Sequence, residues 1–236
     1  MKLLTVSVGT PKEVSYVGRK SREKMTTTTG IFKTPVDSRV MLRRTNLDGD
    51  GQADLDAHGG PDKAVYVYAK ENYDFWAAEL GRDDFSTAGQ FGENFTVEGM
   101  SDVDVCVGDQ FRIGGALTVV TQPRVPCFKL GILMRIDNFQ KQFAEKCRVG
   151  FYLRVLEEGE VGAGDAIESA GTGSVRMSVR DMMHLLYFEP DNVDGARRAL
   201  GIEAMSPGWR SSFEERVATG PRVVAPYKNT DLPSRL

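Results

Sequence analysis

Asp56-Ala57-His58-Gly59-Gly60-Pro61-Asp62-Lys63-Ala64 runs directly into Val65-Tyr66-Val67-Tyr68. Two glycines and a proline after a histidine spell a tight turn, and the aromatic, β-branched run behind it spells a strand. Backbone amides in such a turn can approach a ligand closely, and with Lys63 they suit an anion. The same texture extends in both directions. Short apolar runs at residues 3–8, 14–17, 94–97, 110–113, 117–121 and 150–156 alternate with Gly, Asp and Asn turn signals. Up to about residue 168 their spacing predicts mainly β structure, a closed or partly closed β-barrel rather than a parallel α/β sheet. Two helical insertions are expected, one over residues 70–80 with Tyr73, Phe75, Trp76 and Leu80, the other between residues 130 and 147. In the second, Phe139 and Phe143 fall four apart, and all these aromatics read as core.

The texture changes after Ser169-Ala170-Gly171-Thr172-Gly173, a small-residue linker. Three helix signatures follow. Ser178 with Asp181 opens residues 179–188, Asp191 caps 192–200 before Gly201, and Ser206-Pro207 opens 208–218 with Gly220 beyond. The chain thus divides into a barrel domain, residues 1–170, and a small three-helix domain with a tail, residues 171–236. Met182, Leu185, Leu186, Leu200, Trp209, Phe213 and Val217 supply the appendage's core and docking face. Only Arg197, Arg198, Arg210 and Arg216 offer phosphate contacts for a rival helix-turn-helix, and acids interleave them.

A formal net charge of -3 with 27% charged residues gives no pull toward duplex nucleic acid. No stretch of about 18 apolar residues offers a membrane span, and a soluble, cytoplasmic protein is expected. Cys106, Cys127 and Cys147 form no disulfide framework, fit a reducing compartment, and cannot supply the four thiolates of an iron–sulfur cluster. No G-x-G-x-x-G links a strand to a helix. Residues 46–54 copy the start of a calcium loop, with oxygen ligands at positions one, three, five and nine and Gly51 at six, but Ala57 stands where the bidentate acid belongs. Zinc is disfavoured because His58, His184 and three scattered cysteines show no paired spacing.

One thiol stands apart. Cys127 lies in Thr121-Gln122-Pro123-Arg124-Val125-Pro126-Cys127-Phe128-Lys129-Leu130, where two prolines stiffen the backbone and Arg124 and Lys129 flank it with positive charge. Cations stabilise a thiolate, the form that attacks or binds metal. Phe91-Gly92-Glu93-Asn94-Phe95 adds a glycine and two polar side chains at the mouth of a strand.

These runs together, with Val107-Gly108-Asp109 and Gly164-Asp165, resemble the MOSC family, named for the C-terminal domain of molybdenum-cofactor sulfurases. The likeness is closest to stand-alone bacterial YiiM-type members, spans roughly residues 30 to 168 in family order, and accounts for a three-helix appendage. It implies a molybdenum cofactor, a molybdopterin, with Cys127 as metal ligand or as carrier of a transferred sulfur. It also places His58, Lys63, Asn94, Gln122 and Arg124 around that cofactor, His58 doubling as a proton relay. The activity implied is two-electron reduction of N-hydroxylated compounds, hydroxylamino-purines or amidoximes, to amines or amidines. Electrons would come from a flavoprotein or ferredoxin-type partner, since no second cofactor site is evident in the chain. A sulfur carrier using a Cys127 persulfide, without bound pyridoxal phosphate, and a module that binds and delivers cofactor remain open.

Overall fold

A computed structural model of the chain describes residues 1–18, 22–53, 59–85 and 88–220. His58 lies outside these residues. The first strands are β1 (Lys2–Val8), β2 (Lys12–Val17), β3 (Lys24–Thr29), β4 (Thr34–Val36) and β5 (Val40–Leu42). A one-turn 3-10 helix, Pro61–Lys63, leads into β6 (Val65–Ala69), helix α1 (Lys70–Leu80) and β7 (Phe95–Glu98). Next come β8 (Gln110–Ile113), β9 (Ala116–Pro123), α2 (Phe128–Met134), α3 (Phe139–Glu145), β10 (Phe151–Glu157), β11 (Gly159–Val161) and β12 (Ile167–Gly171). Helices α4 (Val179–Tyr187), α5 (Val193–Leu200) and α6 (Pro207–Thr219) end the described chain.

Eight strands form one sheet in the order β12-β8-β9-β10-β6-β7-β1-β4, antiparallel except where α1 carries the chain across so that β6 and β7 run parallel. The sheet returns on itself. Leu3 N donates to Asp165 O at 2.9 Å, Gly164 N to Leu3 O at 2.8 Å and Ile167 N to Met1 O at 3.0 Å, so β1 is bonded to the segment that enters β12. This seam makes the sheet barrel-like, as the short-strand pattern requires. Asp165 secures it by accepting from Arg39 at 2.7 and 3.0 Å and from the Gly162 amide at 2.9 Å. Two ribbons, β2 with β3 and β5 with β11, stand beside the main sheet.

The expected helical insertions exist, and their aromatics are core. Trp76 stacks on Phe143 with centroids 5.5 Å apart and meets Phe139 edge-on at 5.0 Å. The three C-terminal helices also form where expected. Ser178 caps α4 by accepting from the Asp181 amide at 3.0 Å. The cap of α5 is Asn192 rather than Asp191, accepting from Gly195 N at 2.7 Å, because Asn192 is the residue with non-helical backbone one position before the first turn. Ser206 precedes Pro207 without a side-chain cap bond. The small residues 169–171 are not a free linker, since they pair with β8 as part of β12.

The arginines of a helix-turn-helix reading are otherwise employed. Arg216, buried, donates to Leu185 O and Leu186 O at the carbonyl end of α4, at 2.7 and 2.9 Å, and at 3.1 Å to Glu189 O, which also accepts from Asn192 N. Arg210 donates to Leu200 O at the end of α5 and to Ile202 O just beyond it. Arg198 donates to Arg176 O, and Arg197 pairs with Asp194. Barrel and helices share one continuous apolar core that includes Val105, Val107, Met182, Trp209 and Phe213.

Candidate functional site

The described residues contain an open cleft of about 680 Å³, including solvent at its mouth, where β3, the 50–53 segment, the Pro61–Lys63 turn and the β9–α2 junction meet. Lys63, Asn94, Arg124 and Cys127 all line it. Gln122 does not. It is buried at register opposite Tyr152 on β10, and its side-chain amide donates to the Pro123 carbonyl over 3.4 Å.

The β9–α2 junction is set by backbone pairing. Arg124 N donates to Gly150 O at 3.0 Å, and Cys127 then occupies the extended residue before α2, with its carbonyl accepting from Leu130 N at 3.0 Å. Cys127 is half-buried, whereas Cys106 and Cys147 are buried away from the cleft. Burial pushes the Cys106 thiol upward and the Cys147 thiol to about 11, so neither is disposed to ionise near neutrality.

Arg124 is the most unusual group in the cleft. It is 5% exposed, its guanidinium lies 5.1 Å from the Tyr66 ring centre and 5.3 Å from that of Phe143, and its buried Nη1 has no hydrogen-bond partner among the described residues. Burying a cation without full pairing is costly. An arrangement of this kind fits a ligand that brings negative charge, because an anion supplies the missing acceptor.

Asn94 has a different task. Its side chain accepts from Tyr66 N at 3.1 Å and donates to Ser7 O at 3.2 Å and Asp50 Oδ2 at 2.9 Å, stitching β6 to β1 at the floor of the cleft. Asp50 also accepts from Lys33 Nζ at 2.5 Å and the Gly9 amide at 2.8 Å. Asp50 and Asp48 of the calcium-like run therefore serve separate cations, Lys33 and Arg43. Glu93, wholly buried, accepts from Gly89 N at 2.7 Å, Phe91 N at 3.0 Å, Thr96 Oγ1 at 2.8 Å and the Tyr73 hydroxyl. Burial raises its pKa. It shapes the turn that delivers Gly92, whose φ of 81° and a would-be Cβ 2.5 Å from Ile31 Cγ1 exclude a side chain at the cleft wall.

The Pro61–Lys63 turn begins after Gly60, whose φ of 87° likewise requires glycine. Gln52 holds both ends of it, accepting from Gly60 N at 3.1 Å and donating to Lys63 O at 3.1 Å. Lys33, Asp50, Gln52, Tyr66, Tyr152 and Lys129 also line the cleft. None of these stood out as a cofactor contact in the sequence, because each sits inside an ordinary strand or turn pattern; only the cation flanking Cys127 marked Lys129.

Comparison with known proteins agrees with this architecture. Residues 54–168 match the MOSC domain model, and residues 177–220 match the model of the YiiM-like, 3-alpha helix domain. An uncharacterized protein, YflK, of Bacillus subtilis is 41% identical over 91% of this chain and 93% of its own length. A fungal protein named "Reductase", from Gibberella moniliformis, is 36% identical over 59% of this chain, which covers 25% of that longer protein. The crystal structure of YiiM from Geobacillus stearothermophilus superposes with a TM-score of 0.75 at 31% identity, covering 92% of this chain and 98% of that one. A barrel-like sheet with a capped helical appendage, a cleft holding a half-buried thiol beside a buried cation, and these likenesses together place the chain in the MOSC-domain family, in its YiiM-like branch.

Proposed function

We propose that the cleft holds a molybdenum cofactor and that the protein reduces N-hydroxylated compounds to the parent amine or amidine. The observation that carries this reading is Arg124 Nη1, a buried donor with no partner among the described residues in a cleft that also presents Cys127. The cofactor's phosphate and dithiolene make it anionic, and a soft thiolate suits its metal. Arg124, Lys63 and Lys129 would hold the anionic end, Cys127 would bind the metal, and Tyr66 and Tyr152 would wall the pterin. His58, five residues before Lys63 in the sequence, would serve the phosphate or proton transfer. When bound, the cofactor supplies the two-electron redox chemistry. The overall change takes two electrons and two protons, breaks the N–O bond and releases water. A relative named a reductase supports that direction.

The protein's own contribution is electrostatic and steric. Arg124, fixed by the Gly150 carbonyl and the Phe143 face, needs no reorganisation to meet negative charge. Gly92 keeps the wall open beside Ile31. The electron donor is a separate protein, of flavoprotein or ferredoxin type.

The test is molybdenum per polypeptide after expression in a host that makes the cofactor. Cys127→Ser is expected to lose the metal while Cys106→Ser and Cys147→Ser retain it at matched circular dichroism. Equal loss in all three, or none in any, sinks the assignment. Intact mass on the same samples separates the sulfur-carrier reading, which requires one extra sulfur atom on Cys127 and no metal.

A further inference from the structure

Among the described residues none beyond Tyr152 lines the cleft, so the described part of the three-helix unit places no side chain in it. The unit is nonetheless joined to the cleft wall by a short chain of polar contacts. The carbonyl of Ala204, between α5 and α6, accepts from Arg154 Nη2 at 3.2 Å. Arg154 Nε in turn donates to Asp62 Oδ1 at 2.5 Å. Asp62 is the middle residue of the Pro61–Lys63 turn, and its carbonyl accepts the Thr121 hydroxyl at 2.7 Å. The Thr121 carbonyl accepts from the amide of Ser206 at 3.3 Å. Two routes thus converge from residues 204–206 on Asp62, whose neighbour Lys63 lines the cleft.

Arg154 is suited to this task. It lies two residues from Tyr152 on β10 and so leaves the strand on the same side. Its planar fork can meet a carboxylate and a carbonyl in one fixed geometry, which a lysine ammonium does not reproduce. Side-chain exposures of 30% and 20% put the Arg154–Asp62 pair between a screened surface pair and a fully desolvated one. The turn it grips is only three residues long and has no side-chain cap of its own.

We propose that Arg154 is a positioning residue through which the three-helix unit sets the place of the Lys63 turn. The unit thereby governs a cleft that none of its described residues lines. The inference rests on the proposed function only in taking the cleft's ligand to be anionic.

The experiment uses the full chain with Arg154→Met, Arg154→Lys, Arg210→Ala and the Arg154→Met/Arg210→Ala pair. Arg210 donates to the carbonyls of Leu200 and Ile202 at the base of the 204–206 segment and is not among the residues lining the cleft. Two quantities are read: hydrogen exchange of the Lys63 amide, which donates to Gly60 O, and affinity for inorganic phosphate. Arg154→Met and Arg210→Ala should each raise exchange at the turn by about tenfold while the β9 and β10 amides stay protected. Phosphate affinity should fall in parallel, the pair should fall short of the two single effects combined because they share the Arg154 route, and Arg154→Lys should recover little. Unchanged turn exchange in Arg210→Ala, additive effects in the pair, or a rise spread evenly over the barrel overturns the proposal. If the exchange pattern appears as expected but the wild type binds no phosphate, the coupling stands and the anionic reading of the cleft falls.

Discussion

Arg124 shows at the scale of one residue how the proposed binding site would cost stability. Its guanidinium is buried with Nη1 unpartnered among the described residues, a position that a hydrophobic side chain of similar length fills without desolvation cost. Arg124→Met is therefore expected to raise the unfolding temperature by a few degrees, in line with a gain on the order of 1 kcal/mol. The same variant should lose bound molybdenum. Calorimetry and metal analysis on one preparation check both, and a variant that is less stable contradicts the account. Sequence alone marked Arg124 for its place beside Cys127, and marked Asn94 and Gln122 by resemblance. It did not reveal that Asn94 ties β6 to β1 or that Gln122, opposite Tyr152 in register, is not among the residues lining the cleft. The first of these depends on strand pairing, which period-two patterns leave undetermined by one residue.

Among the elements, the long runs were legible and the short ones were not. The ends of α1 agree with expectation to the residue, because Gly81 in the left-handed region stops it after an aromatic stripe. Strands β3, β4, β5, β11 and β12 escaped notice. Lys24–Thr29 has no apolar alternation, Thr34–Val36 contains a proline, and Ile167–Gly171 looks like a small-residue linker until β8 pairs with it. The closing contacts of α4 were equally hidden, because an arginine that caps a distant helix resembles one that waits for phosphate. Replacing Arg216 by methionine leaves the carbonyls of Leu185, Leu186 and Glu189 without that donor. A loss of about 2 to 4 kcal/mol is expected from chemical denaturation, given ~1–3 kcal/mol for a buried acceptor left unpaired. A loss under about 0.5 kcal/mol, the level of an ordinary surface change, would show that water replaces the guanidinium freely.

For the molecule as a whole, two outcomes follow from how its parts are joined. Arg39 beside Asp165 holds that carboxyl below the usual carboxylate range. A group whose pKa is depressed by folding stabilises the fold above its unfolded value, near 4, and ceases to do so as pH falls through its folded value. Asp165→Asn should accordingly lower stability at pH 7 and flatten the acid limb of the stability curve below pH 4, as read by urea midpoints across pH. A limb unchanged from wild type would remove Asp165 from the seam's support. The second outcome concerns electrons. The chain's three cysteines are dispersed and no dinucleotide fingerprint is present, so molybdenum-loaded protein should be inert toward N-hydroxylated bases with NADH alone and active with a chemical reductant or an added reductase. Robust NADH-driven turnover by the homogeneous protein, with no flavin or iron bound, would overturn the need for a donor protein.

The seam between β1 and residues 164–167 also sets an order of events in time. It joins the first strand to the end of the barrel, and contacts so distant along the chain form only after the loop entropy between them has been lost. The walls of the cleft come from segments running from Thr29 to Tyr152, all of which lie within that loop. These segments close shorter loops than the seam does, so the cleft walls are expected to meet before the seam shuts, and release of the proposed cofactor on heating should follow the loss of those strands rather than the fraying of the helices.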